Sequence, residues 1–236
     1  EAVRIAINAG IDMSMVPNEY SFYELLLELV NEGKVSEKRI DESVKRILKL
    51  KSKVGLLDNP FVENIESLKI DTNKHKQIAL QAARESMTLL KNKNNILPLS
   101  KDETILVVGP GSNSLSTLCG SWSFTWQGNV EGEYPQSYKT IVDALKDKSS
   151  NIIDYTKRGF DQKANFRLKI TDNIDKILLC LGENAYAESP GVIDDLTLDK
   201  YQLQLAKEAI KSGVPVILVL TQGRPRIINS IVDEID

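Results

Sequence analysis

The sequence predicts an α/β protein, with a helical segment first and then a mainly parallel sheet covered by helices on both faces. Three observations carry this. Between residues 20 and 53, apolar residues recur at helical spacing. Between 61 and 73 that periodicity fades and polar residues dominate, which marks a linker. From residue 103 onward, short apolar runs alternate with amphipathic stretches. That alternation implies right-handed crossovers between parallel strands.

The elements follow in order. RIAINAGIDMSMVPN, 4–18, reads as a helix ending at Gly10 and then a short buried strand. SFYELLLELVNEG, 21–33, is a helix closing on Gly33, and SEKRIDESVKRILKLKSKVG, 36–55, is a second one capped by Ser36 and stopped by Gly55. HKQIALQAARESMTLLKN, 75–92, is a third helix, followed by ILPLS. ETILVVGPG, 103–111, is a buried strand running into a Gly/Pro turn. SYKTIVDALKDK, 137–148, is a helix, NIIDY, 151–155, a short strand, and KILLCLG, 176–182, another strand. DKYQLQLAKEAIKSG, 199–213, is a helix, VPVILVLTQGRP, 214–225, a strand, and a last helix is expected from about Arg226. A sheet of three or four strands is small for such a domain. We therefore expect an incomplete domain, and a processed or fragmentary start, since residue 1 is Glu.

Composition narrows the functions. A net charge of −3 argues against a nucleic-acid surface and against an anionic membrane. No apolar segment is long enough to span a bilayer. Cys119 and Cys180 are too few and too far apart for a disulfide framework or a zinc site, which leaves core packing. His75 is the only histidine, so neither a His-rich metal site nor a Ser-His or Cys-His triad can be built from this chain. Its place at the polar start of a helix suits a surface or capping role. GPGSNS, 109–114, follows a strand but lacks both GxGxxG spacing and a Gly-Lys-Ser/Thr ending, so it reads as an ordinary turn.

Two loops remain. GSWSFTWQGN, 120–129, sets Trp122 and Trp126 four apart among glycine and polar residues, which does not suit a helix core. Such indoles either pack their own loop or stack on a flat ligand such as a sugar ring. GENAYAES, 182–189, places Glu183 and Glu188 around Tyr186 directly after an apolar strand. It is either a solvated acidic loop or a catalytic one. Ligands in open α/β sheets collect outside the carboxyl ends of strands, where both loops lie. A carboxyl held near indoles in a partly dry pocket would have the raised pKa that a general acid needs.

Six blocks, in order, resemble glycoside hydrolase family three, in its β-glucosidase and exo-1,3/1,4-β-glucan glucohydrolase branch. They are AGIDMSMVPN, the run from GKVSEKRIDESVKRIL to GLLDNP, AARESMTLLKN with ILPL, CGSWSFTWQG, GENAYAES and VILVLTQGRP. The resemblance implies the tail of a (β/α)8-type barrel over residues 1–60, a linker over 61–73 and most of an α/β sandwich over 74–236. It implies retaining hydrolysis by two carboxyl groups. Glu188, in Tyr186-Ala187-Glu188, resembles the acid/base, and Glu183 the preceding supporting acid. Trp126 and Trp122 resemble the indoles of the leaving-group subsite, Met15 approaches bound sugar, and Asp12 orders the strand end. Tyr186 is carried over as a substrate-side residue. No cofactor and no metal is implied. The implied partners are a small saccharide or β-glucan and the remainder of a parent chain, in a secreted or periplasmic setting.

Two departures stand beside the match. No Ser-Asp-Trp nucleophile block occurs in these residues, so the segment alone is expected to be inactive. The loop after Glu188, PGVIDD, is longer than the family's usual Gly-Asp step. Other specificities, β-xylosidase or N-acetylglucosaminidase, and a non-catalytic carbohydrate-binding module are the competing readings.

Overall fold

The computed structural model describes residues 1–61, 72–156, 168, 170, 171 and 173–236. Most of the expected linker, 61–73, lies outside the described residues. Two compact units emerge, Glu1–Ser86 and Met87–Asp236.

In the first unit, α1 spans Ala2–Asn8, α2 Ser21–Asn31, α3 Glu37–Lys53 and α4 Asn73–Ser86. The start of α3 is set by Ser36, whose hydroxyl accepts the Arg39 N–H at 3.2 Å, and Lys51 and Lys53 face its carbonyl end. The buried strand expected after Gly10 does not form. Residues 11–17 have no regular secondary structure, and Met13 and Met15 are exposed. A strand needs a neighbour for its backbone donors and acceptors, and the described strands all lie in the second unit. The helix expected to run to Asn92 stops at Ser86. There the Ser86 hydroxyl bonds the Ala83 carbonyl at 2.8 Å, a local alternative to the helical ladder. Asn92 then closes a turn, its side chain accepting from Leu97 N–H at 3.0 Å.

The second unit is built on β1 (Ile105–Val108), β2 (Ile152–Asp154), β3 (Lys176–Gly182) and β4 (Val216–Thr221), all parallel, in the order β2-β1-β3-β4. The pleat sorts the apolar runs onto two faces. Leu106, Val108, Ile177, Leu179 and Leu181 pack with Leu205, Ala206 and Ala209 of α7 (Lys200–Lys211). Ile105, Val107, Leu178, Cys180 and Ile217 pack with Val142 of α6 (Ile141–Lys146). Burial on both faces explains why these strands read as unbroken apolar runs. Cys180 is core, and burial pushes its thiol up to about 12.

Two boundaries differ from expectation. The helix expected over 137–148 is shorter, because Thr140 and Asp143 form a capping box that starts it at Ile141. No α-helix begins near Arg226. Ile227 instead bridges to Thr197, its N–H donating to the Leu196 carbonyl at 2.9 Å, and only a short 3-10 turn follows at Val232–Glu234. That extended pairing and the bonds made by Arg226 hold the segment out of a helix.

Candidate active site

The connection from β1 leads to β2 on one side of the sheet, and that from β3 leads to β4 on the other. The carboxyl ends of β1 and β3 therefore flank the switch point at which open α/β sheets bind ligands. Both loops singled out above leave from there.

The loop after β3 is fixed at its root. Gly182 meets β4 so closely that a Cβ would stand 1.9 Å from the Thr221 carbonyl oxygen, at a φ of 147° that disfavours any other residue. The buried amide of Gln202 grips both the N–H and the C=O of Gly182. It accepts from Gly182 N–H at 2.9 Å and donates to Gly182 O at 2.8 Å.

Glu183 is then committed on all sides. Its Oε1 accepts from the Tyr186 hydroxyl at 3.2 Å and from Gly223 N–H at 3.0 Å, with Arg224 Nε 3.7 Å away. Its Oε2 accepts from Arg226 Nη1 at 3.3 Å. Arg224 donates to the Tyr186 hydroxyl at 2.6 Å and lies over the same ring, 3.9 Å from its centroid. Tyr186 itself is wedged between Gly191 and Gly223, where a Cβ would come within 2.4 and 2.7 Å of it. A carboxylate so paired is a strut, tied to two arginines, a tyrosine hydroxyl and a backbone N–H.

Glu188 differs in every respect. It is exposed, and the Trp126 indole N–H donates to its Oε1 at 3.3 Å. Its backbone sits at φ 55°, ψ −140°, a conformation that costs a non-glycine residue roughly 1–3 kcal/mol. The neighbouring Ala187 peptide unit is held by Gln127, which accepts from Ala187 N–H at 2.9 Å and donates to Ala187 O at 3.1 Å. Glu188 borders an open cleft of about 580 Å³ with Trp122, Tyr186, Ala187, Val192 and Arg224.

The tryptophan loop closes on itself through Trp122 N–H to Trp126 O at 3.0 Å and Ser123 Oγ to Cys119 O at 2.9 Å. Phe124, itself exposed, meets Tyr134 and Tyr138 beyond the loop edge-on. The two indoles face outward, Trp122 71% and Trp126 47% exposed. The turn over 109–114 leads to α5 (Ser116–Cys119), whose first N–H groups are taken by the protein's own Glu131, at 3.0 Å from Leu115 N and 3.1 Å from Ser116 N.

Comparison with known proteins decides the lineage. Residues 87–236 match the model of the glycosyl hydrolase family 3 C-terminal domain, and residues 1–50 match that of its N terminal domain. The chain belongs to glycosyl hydrolase family 3. It is similar to a lysosomal beta glucosidase of Dictyostelium discoideum, 37% identical over 97% of this chain and 30% of that protein. It is also similar to a periplasmic beta-glucosidase of Salmonella typhimurium, 30% identical over 95% of this chain and 33% of that one. Among solved structures, it resembles the β-glucosidase of Listeria innocua in complex with glucose, with a TM-score of 0.80, 28% identity, and coverage of 100% of this chain and 32% of that one. The chain thus spans about a third of the length of these family 3 relatives.

Five of the sequence-derived residues, Glu183, Tyr186, Glu188, Trp122 and Trp126, fall in the same family 3 unit around the β1/β3 switch point. Asp12 and Met15 lie in the other unit. There Asp12 accepts from Ser43 Oγ at 2.8 Å, Arg46 Nη1 at 2.7 Å and Arg39 Nη2 at 3.3 Å, while Met15 is 93% exposed. Sequence reasoning passed over Gln127, Gln202, Arg224 and Arg226. Gln127 and Arg224 stood inside quoted motifs, Trp-Gln-Gly and Gly-Arg-Pro. Gln202 carried a fainter signal, as a polar residue on the buried face of an amphipathic helix.

Proposed function

We propose that this chain supplies the acid/base half of a retaining β-glycosidase that removes terminal β-D-glucosyl residues from glucosides or β-glucans. Glu188 protonates the leaving oxygen and then activates water for the second step. One observation carries the assignment: of the two candidate carboxylates, Glu183 is locked among arginines whereas Glu188 stands in the cleft with a single indole donor. A proton shuttle must release and regain its proton within reach of the substrate, and a double ion pair opposes that.

Trp126 and Trp122 form the leaving-group subsite, and Tyr186 lines the cleft with Trp122. Met15 is assigned to sugar contact and Asp12 to support of the segment that carries it. The attacking carboxylate, at the ~5–5.5 Å separation typical of retaining enzymes, comes from the remainder of the parent protein. Support comes from the β-glucosidases among the relatives, and the periplasmic and lysosomal ones favour a secreted or periplasmic setting. A second reading, β-xylosidase, is favoured by a beta-xylosidase of Formosa agariphila that is 31% identical over 100% of this chain. Comparing kcat/KM for aryl β-glucosides and aryl β-xylosides separates the two.

The acid/base assignment is tested by Glu188→Ala in the full-length protein. We expect cellobiose-type substrates to lose about 10²–10⁴-fold. Activated aryl glucosides, whose leaving groups need little protonation, should lose least in glycosylation, and azide should restore turnover as a β-glucosyl azide. If Glu183→Ala gave that pattern and Glu188→Ala did not, the roles would be reversed.

A further inference from the structure

We propose that Gln127 is a positioning residue for Glu188, fixing where the carboxyl group stands by gripping the backbone N–H and C=O of the residue in front of it. The inference rests on the acid/base reading above. A primary amide carries a donor and an acceptor side by side, which matches the N–H and C=O of one residue. Gln127 uses both on Ala187, at 2.9 and 3.1 Å, in the manner of a neighbouring strand. Ala187 is buried, so water is poorly placed to take over these bonds.

Two adjacent residues therefore hold two adjacent residues. Trp126 holds the Glu188 carboxylate and Gln127 holds the Ala187 backbone. Glu188 has a φ of 55°, outside the range its side chain prefers. Without the Gln127 grip, the 187–188 peptide is free to relax to negative φ, which swings the carboxyl group out of the cleft. Gln202 does comparable work on Gly182 at the root of the same loop, and Gln127 does it on the residue next to Glu188.

The experiment uses the full-length protein and a series of aryl β-glucosides of graded leaving-group acidity. Gln127→Ala should lower kcat/KM for the poorest leaving groups by about 10–100-fold, the scale set by a misplaced catalytic group. The most activated substrates should change little, so the dependence on leaving-group acidity steepens. Gln127→Glu should do the same in an isosteric frame, because it keeps the acceptor for Ala187 N–H but sets an oxygen against the Ala187 carbonyl. In a Glu188→Ala background, Gln127→Ala should add nothing to the steepness. A uniform loss across the series, or one that follows a lowered melting temperature, overturns the inference in favour of a purely structural glutamine. A steep series for Glu188→Ala beside a flat one for both Gln127 variants overturns this inference alone. A flat series for Glu188→Ala overturns the acid/base reading and this inference with it.

Discussion

The loop after β3 and the segment after α1 were both expected to touch substrate, yet they are built in opposite ways. Between Gly182 and Glu188 partners from the same unit hold the loop at several points: Gln202 on Gly182, two arginines and Tyr186 on Glu183, Gln127 on Ala187 and Trp126 on Glu188. In the segment after α1 the anchoring is concentrated at Asp12, and three residues further on Met15 stands out in solvent. The first region holds a carboxylate in a strained conformation because many bonds over-determine it. The second holds one residue firmly and leaves the next ones to be oriented by whatever they meet. On the proposed function, the acid needs the first kind of support, whereas the thioether of Met15 can manage with the second.

The largest stability effect that tests this contrast is expected at Glu183. Glu183→Gln keeps the shape but removes the charge that Arg224 and Arg226 face, with only 14% of the side chain exposed. Breaking such a pair costs about 3 kcal/mol, read as a lowered urea midpoint. Activity should fall with it, most for poor leaving groups, because the loop that carries Glu188 loosens. An unchanged midpoint would mean that the network does not hold the loop.

A smaller effect is expected at Trp126, where two roles can be separated. Trp126→Phe keeps an aromatic face and loses the N–H donated to Glu188. It should cost about 1 kcal/mol of transition-state stabilisation, the scale of one hydrogen bond, on poor leaving groups only. Trp126→Ala should add a further ~1–2 kcal/mol for disaccharides, through lost stacking, and little for methyl β-glucoside. Equal kcat/KM losses on cellobiose, laminaribiose and methyl β-glucoside, following a drop in melting temperature, would make Trp126 a packing residue.

The same contrast explains how much was legible in the sequence. The strands of the sheet were readable because burial on both faces forces unbroken apolar runs, and Ser36 announced α3 by its capping chemistry. Glu183 and Glu188 were visible as residue types, but nothing local distinguishes a carboxylate tied to arginines from an exposed one. The difference comes from Arg224 and Arg226, about forty residues away in sequence on the far side of β4. Gln127 was hidden for the same reason, since its partner lies across the β1/β3 crevice and a glutamine in a loop has no periodicity to betray it. The expected strand after Gly10 and the expected helix near Arg226 misled because local pattern does not reveal whether a strand has a neighbour or whether Ile227 is already paired.

The smallest predicted effect belongs to the second region and depends on pH. The Ser43 hydroxyl, with Arg46 and Arg39 beside it, holds the Asp12 carboxyl below its ordinary value. A carboxylate whose pKa is depressed by folding stabilises the native state fully above its unfolded value of about 4. That contribution disappears as pH falls through the lower folded value. Asp12→Asn should therefore lower the melting temperature most at pH 5–7, and the gap to the parent protein should close progressively below about pH 4. Ser43→Ala removes the first of the three donors and should reproduce part of the gap with the same pH dependence. Because Asp12 is 29% exposed at its side chain, solvent screens the ion pairs and keeps the effect modest. If the gap persisted unchanged at pH 3, Asp12 would anchor the segment by shape and neutral hydrogen bonds alone, and the charge of Arg39 and Arg46 would have no part in holding it.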